Sequence, residues 1–297
     1  MTIISMRKNI LYFFQAQITY AFLLIFSLLP INLTSFLGGI IGRTVGPLSK
    51  AHKIAQNNLI IAFPEMSPRE HKKILADSWD NFGRVMTEYA HLKKLSQEQE
   101  KDRIQIEGLE NLQYLSANEE PFIIFFGHLG NWEINGLSSM LTNKTSSIVY
   151  RPPNNHFIAQ KLLQIRNLDQ ETLIPKGNEG AIKAIKRIKE NGILLMAIDQ
   201  KMNNGLPINF FGKEAMTGDA IARIALRYKC PILPLRSQRL NGCNFKLTFE
   251  QPWLYDTYKK DNPENILLKI NKTLERWIKD EPNQWLWFHN RWPKINI

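Results

Sequence analysis

With 297 residues, 44% of them hydrophobic and 22% charged, the chain is long enough for a large buried core and too apolar to be disordered. Its 38 Lys and Arg against 27 Asp and Glu leave a formal charge of +11, which points to an anionic partner: nucleic acid, an anionic membrane surface or a phosphorylated substrate. The two cysteines, Cys230 and Cys243, show no metal-ligand spacing and no context that marks a nucleophile, and they read as a reduced cytosolic pair.

Arg7-Lys8 is followed by Ile10 to Leu29, an apolar run that carries Gln15 and Gln17 but no charge and ends at Pro30. As a helix it would be about 30 Å long, close to the hydrocarbon thickness of a bilayer. No small-residue cleavage site follows, so a signal peptide is not indicated. The two glutamines leave open a buried or interfacial helix, and membrane attachment of some kind is the expectation. A Gly- and Pro-containing apolar stretch, Ile31 to Leu48, comes next, then a helix from about Lys50 to Phe63. Ser67-Pro68-Arg69-Glu70 has the form of a capping box with proline in the first turn. The helix it opens carries Ile74, Leu75, Trp79, Phe82, Val85, Met86 and Tyr89 at helical spacing. Residues 1–50 are thus expected to form a membrane anchor and its proximal segment, and residues 51–100 to be helical.

From residue 120 short apolar runs alternate with longer amphipathic ones. Strands are predicted at 122–127, 146–151, 172–175, 192–198, 231–239 and 245–250. Helices are predicted at 131–142, 155–168, 178–190, 217–228 and 263–280. In one of these, Ile182, Ile185 and Ile188 oppose Lys183, Lys186, Arg187 and Lys189, and Asn262-Pro263 is a good start for the last. Alternating strand and helix implies an α/β fold over residues 120–297: a mostly parallel sheet flanked by helices, with a later antiparallel hairpin around Asn241-Gly242.

The segment Pro121 to Ile134, PFIIFFGHLGNWEI, is the strongest chemical feature. An apolar strand ends at Gly127, His128 follows, and Glu133 comes five positions later. Carboxyl ends of parallel strands face the ligand crevice, which places His128 where chemistry usually occurs. In continuous helix the two side chains would sit about 140° apart, so they meet only if His128 lies in a turn before the helix. Gly130 and Asn131 make such a turn plausible. This is not the zinc-binding arrangement of two histidines four apart, and with no second ligand cluster a metal site is rejected; no cofactor is implied. A His–carboxylate pair without a neighbouring serine or cysteine can take a proton from a substrate hydroxyl as it attacks an activated acyl group. Taken alone, a hydrogen-bonded structural histidine is as good a reading. Arg151 and Asp199, with Gln200 beside it, close two other predicted strands on the same sheet edge. Arg151 suits a phosphate or a developing oxyanion, and Asp199 suits an acceptor hydroxyl or an ion pair with Arg151. Asn209-Phe210-Phe211-Gly212 precedes the helix that Thr217 is expected to cap. The tail aromatics Trp285, Trp287, Phe288 and Trp292, mixed with His289 and Arg291, fit either a membrane interface or a core. No RNP-type strand, zinc knuckle or basic recognition helix supports nucleic-acid binding.

The His-x4-Glu of GHLGNWE, YRPPNN at 150–155, DQKMNNGLPINFFGKEAMT at 199–217 and WLWFHNRW at 285–292 occur together in one order. In this combination the chain resembles the lipid A biosynthesis lauroyl/myristoyl acyltransferases, within the lysophospholipid acyltransferase superfamily, over essentially its whole length. The resemblance implies an acyltransferase domain over residues 51–297 with His128 and Glu133 as the catalytic dyad; Asn131, Arg151, Asp199 and Gln200 are the residues expected toward substrate. It further implies an acyl carrier protein thioester as donor, a phosphorylated lipid A precursor as acceptor, and a catalytic domain on the cytoplasmic face of the inner membrane. Lys176, Lys183, Lys186, Arg187 and Lys189 are candidates for docking an acidic carrier protein. Acylation of another lysophospholipid or glycolipid is the alternative; a non-enzymatic basic protein that binds membranes or nucleic acid is the reading from a different class.

Overall fold

The structure is a computed structural model and describes residues 3–95, 102–166, 172–175 and 177–292. The candidate Lys176 and the last two residues of the helix predicted at 155–168 lie outside the described residues.

Through Leu95 the amino-terminal part is helical, as expected: α1 (Ile3–Ser27), α2 (Ile31–Val45), α3 (Lys50–Ala62), α4 (Pro68–Glu88) and the short α5 (Leu92–Leu95); residues 96–100 of the expected helical segment lie outside the described residues. From Arg7 to Ser27, α1 is long and apolar enough to cross a membrane, and it leaves Phe14, Ile18, Leu24 and Ile25 well exposed. The capping box forms: the Ser67 amide donates to Glu70 Oε2 at 2.7 Å, and the Glu70 amide donates to Ser67 Oγ at 3.3 Å. α2 packs on α4 with backbone against backbone. A Cβ on Gly42 would lie 2.0 Å from the Trp79 carbonyl oxygen, and one on Gly83 2.1 Å from that of Gly38. Side chains at these glycines would push the two helices apart.

The rest of the chain follows as β1 (Ile104–Glu107), α6 (Leu109–Ala117), β2 (Phe122–Phe126), a 3-10 helix (Trp132–Leu141), β3 (Ser146–Tyr150), α7 (His156–Arg166), β4 (Leu173–Pro175), α8 (Asn178–Lys189), β5 (Ile193–Ala197), β6 (Leu206–Phe210), β7 (Lys213–Thr217), α9 (Ala220–Tyr228), β8 (Ile232–Asn241), β9 (Asn244–Phe249) and α10 (Pro263–Asp280). Seven strands form one sheet in the order β1-β9-β8-β2-β5-β3-β4. The five from β8 to β4 run parallel, whereas β9 is antiparallel to β8 and β1 follows the direction of β9. β2 is buried along its length, and its alternate residues serve opposite layers. Ile123 and Phe125 pack with α9, α10 and the carboxyl-terminal segment, while Phe122, Ile124 and Phe126 pack with α5, α6 and β9.

Three expectations are corrected. The predicted helix at 131–142 is a 3-10 helix. Residues 206–217 form a separate antiparallel hairpin, β6–β7, so Thr217 ends a strand, and α9 begins at Ala220. β1 and α6 lay outside the predicted elements. Of the two readings open for the tail aromatics, Trp285, Trp287 and Trp292 take the core one, buried at 1%, 0% and 3% exposure.

Gly83→Ala should lower the stability of the detergent-solubilised protein by about 1–3 kcal/mol through overpacking against α2. Thermal unfolding measures this, and an unchanged midpoint would contradict the close helix approach.

Candidate active site

β2 and β5 are hydrogen-bonded neighbours with Phe126 opposite Ala197. Two residues beyond that pair on each strand stand His128 and Asp199, so the sheet itself brings them together, at the strand spacing of about 4.8 Å. The imidazole Nδ1 lies 2.8 Å from Asp199 Oδ1, and the His128 backbone N–H donates to Asp199 Oδ2 at 2.7 Å. Trp285 Nε1 donates to the same Oδ2 at 2.8 Å. Asp199 is fully buried, whereas the His128 side chain keeps 17% exposure. Burial alone would raise the Asp199 carboxyl. The attraction and hydrogen bonds of His128, with His289 behind, outweigh it and hold the group far below the usual carboxylate range. An ionised Asp199 accepts a hydrogen bond from Nδ1–H, which leaves Nε2 as the ring nitrogen with the acceptor lone pair. Nε2 lies 3.5 Å from the Gln200 amide nitrogen, and the edge of Trp132 packs against the ring.

The expected His128–Glu133 hydrogen bond is absent among the described residues. Glu133 is instead gripped by Arg166 at the end of α7, with Nε to Oε2 at 2.8 Å and Nη2 to Oε1 at 2.9 Å. The Tyr89 hydroxyl and Trp132 Nε1 also donate to its Oε1. Burial pulls the Arg166 guanidinium down, but Glu133 and Tyr89 more than restore it, so Arg166 stays charged. The Tyr89 hydroxyl is pushed up by burial and by Glu133, so it remains a donor. The five-residue separation therefore belongs to two adjoining sites. The turn at Gly130, with φ of 55°, sends the chain away from His128 before the 3-10 helix begins.

Asn131 is also corrected. It is buried, its Oδ1 accepts the Glu133 amide, and its Nδ2 donates to Glu88. Both polar ends are committed inside the protein, so it caps the helix that carries Glu133 and is not among the residues that line the adjoining cavity. Glu88 itself is fully buried and paired with Arg239, whose Nη1 and Nη2 lie 2.6 and 2.9 Å from its two oxygens. Burial raises the Glu88 carboxyl, yet Arg239 with Ser35 and Asn131 brings it below its ordinary value.

His128, Glu133, Arg166, Arg151 and Gln200 line one cavity of about 520 Å³. Much of its wall is apolar, from Leu92, Phe126, Leu137, Met140, Ile148, Leu162, Ile165 and Leu173. That pairing of an oily wall with a few convergent polar groups is the form of a ligand site. Arg151 follows β3, which lies on the far side of β5 from β2, and it is not paired with Asp199. No cysteine lines the cavity; both thiols are buried, Cys230 pushed up to about 12 by burial and Glu120, and Cys243 to about 11 by burial and Glu88. Arg166, Tyr89 and Trp285 were not singled out for chemistry from the sequence. Of these, only Trp285 stood in a flagged motif.

Residues 3–294 match the sequence profile described as bacterial lipid A biosynthesis acyltransferase. The chain is 24% identical to the lipid A biosynthesis palmitoleoyltransferase of Escherichia coli K12 over 270 residues, 89% of this chain and 86% of that one. It is 23% identical to the lipid A biosynthesis lauroyltransferase of the same organism over 252 residues, 82% and 79% of the two chains. Among solved structures, the 1-acyl-sn-glycerophosphate acyltransferase of Thermotoga maritima aligns with a TM-score of 0.40 and 13% identity, over 82% of this chain and 99% of that one.

Glu88→Gln should destabilise the protein by about 3–5 kcal/mol, because it leaves the Arg239 charge buried without its partner. The sign with pH is also set. Folding lowers the Glu88 pKa below 4.5, so the unfolded chain binds more protons, and this stabilisation is complete above about pH 4.5 and lost as the pH falls below it. Unfolding midpoints from about pH 5 down to about pH 3 should fall more steeply for the native protein than for the variant, and in parallel above that range.

Proposed function

The chain belongs to the bacterial lipid A biosynthesis acyltransferase family, and from that premise we propose that it moves a fatty acyl group from an acyl carrier protein thioester to a hydroxyl of a lipid A precursor, with His128 as general base. The observation that carries this reading is the 2.8 Å contact between His128 Nδ1 and the buried Asp199, with His128 on the wall of an apolar cavity. Asp199, and not Glu133, is the orienting carboxylate in this mechanism.

The acyl chain of the donor lies along the apolar wall, and the acceptor hydroxyl approaches His128 Nε2. As its oxygen attacks the thioester carbonyl, the proton passes to Nε2, and Asp199 stabilises the imidazolium. Collapse of the tetrahedral intermediate breaks the C–S bond, and the leaving thiolate takes that proton. The new ester needs no enzyme-bound acyl group, consistent with the two inert thiols. Glu133 holds Arg166 in the wall. Arg166 Nη1 has no hydrogen-bond partner among the described residues, so its N–H groups are available to a substrate oxygen. Arg151 and Gln200 complete the polar rim, suited to phosphate and to the polarised carbonyl. In this proposal α1 enters the inner membrane and the cavity opens on the cytoplasmic side, where a carrier protein is found. The outward residues of α2 (Phe36, Ile40, Val45) rest on the same lipid.

His128→Ala should reduce transfer at least 100-fold while the variant remains folded and sediments with membranes. The assay uses lauroyl-, myristoyl- and palmitoleoyl-acyl carrier protein as donors with a lipid A precursor as acceptor. Undiminished turnover in a folded variant would reject the base assignment.

A further inference from the structure

The carboxyl-terminal segment takes no part in the proton transfer just described, yet it touches both members of the pair. The Leu286 amide donates to the His128 carbonyl at 3.0 Å, and the Gly130 amide donates to that of Gln284 at 3.1 Å. This short antiparallel bridge fixes the turn on which His128 stands. From the same segment, the Trp285 indole reaches Asp199 Oδ2 at 2.8 Å. Trp285 is 1% exposed and packed edge-on against Trp287, Phe210 and Trp292, with centroids 4.5, 5.8 and 6.4 Å away, so its N–H cannot swing elsewhere.

An indole nitrogen only donates, and a carboxylate oxygen readily accepts two hydrogen bonds. The His128 amide and the Trp285 indole together occupy Asp199 Oδ2, which turns Oδ1 toward the imidazole. Loss of one donor lets the carboxylate rotate and leaves more negative charge on the oxygen facing His128. We propose that Trp285 is a positioning residue for the proton-transfer pair, acting through Asp199; this rests on the reading of His128 as the base. The titratable and charged groups that face Asp199 are His128 from the β2 turn, and His289 and Arg291 from the carboxyl-terminal segment. Burial brings His289 down to about 4 against the opposing attraction of Asp199, with His128 and Arg291 adding to the lowering, so it is neutral during turnover near neutral pH and adds no competing charge.

The test is steady-state transfer by the full-length protein, with lauroyl-acyl carrier protein and a lipid A precursor as probes. Trp285→Phe should lower kcat about 10- to 100-fold, the equivalent of one hydrogen bond to a charged group. KM for both substrates should hold within about twofold, and the acidic limb of kcat against pH should move upward because a more basic carboxylate retains the imidazolium. In an Asp199→Asn background the same substitution should have no further effect, since the two then share one route. Replacement of Trp285 by 3-benzothienylalanine, which keeps the ring shape but lacks the N–H, separates the donor from packing and covers the case in which Trp285→Phe does not fold. It should show the same loss of kcat. Normal turnover with benzothienylalanine, an unmoved pH profile, or an equal loss in the Asp199→Asn background would overturn the proposal. Activity retained by His128→Ala would instead reject the base assignment on which it rests.

Discussion

A carboxylate sealed from solvent must be met by donors on its oxygens, and the site is arranged around that requirement at Asp199. A buried charge without partners would be strongly destabilising. Here the backbone of His128, its ring and the indole of Trp285 supply three hydrogen bonds. The same bonds that make the buried charge tolerable fix which imidazole nitrogen holds the proton. Stability and proton-transfer geometry are one interaction at this point in the molecule.

The sheet makes the arrangement possible. β2 and β5 are parallel neighbours, so their carboxyl ends deliver His128 and Asp199 to the same edge at matching height. The 3-10 helix after β2 then carries Glu133 onward to Arg166 and Tyr89, where a neutralised, hydrogen-bonded cluster forms part of the cavity wall. Beneath it, Glu88 and Arg239 anchor Asn131, which caps that helix, so a second buried ion pair supports the wall from within. In the proposed mechanism the site separates a pair that moves a proton from a pair that binds.

Much of the fold was legible in the sequence because periodicity reports burial. The six predicted strands agree with the structure to within two residues at either end, and the capping box at Ser67 formed as read. β1 was missed because its side chains are largely exposed at the sheet edge, which gives only a weak pattern. The β6–β7 hairpin was missed because Asn209-Phe210-Phe211-Gly212 read as a lead-in to a helix, while Phe211 and Gly212, both at positive φ, form its turn. The pairing of His128 with Glu133 was inferred from nearness along the chain. The true partner is 71 residues away, and its nearness follows from strand order, which local pattern does not encode. His128, Asp199, Arg151 and Gln200 do line or adjoin one crevice, as expected of residues at strand ends. Arg166 carried no comparable signal, being one cation at the end of an unremarkable helix.

With the carboxylate that orients His128 just beyond β5 and not in the His-x4-Glu motif, the proposed mechanism gives the two acids different kinetic roles. The most direct measurement is kcat and KM for Asp199→Asn beside Glu133→Gln in the same transfer assay. For Asp199→Asn a loss in kcat of about 1,000- to 10,000-fold is expected, the scale seen when an imidazole loses its orienting carboxylate, with KM little changed, and for Glu133→Gln an effect that falls mainly on KM. Near-normal kcat in a folded Asp199→Asn protein, with kcat abolished by Glu133→Gln, would contradict the proposed mechanism.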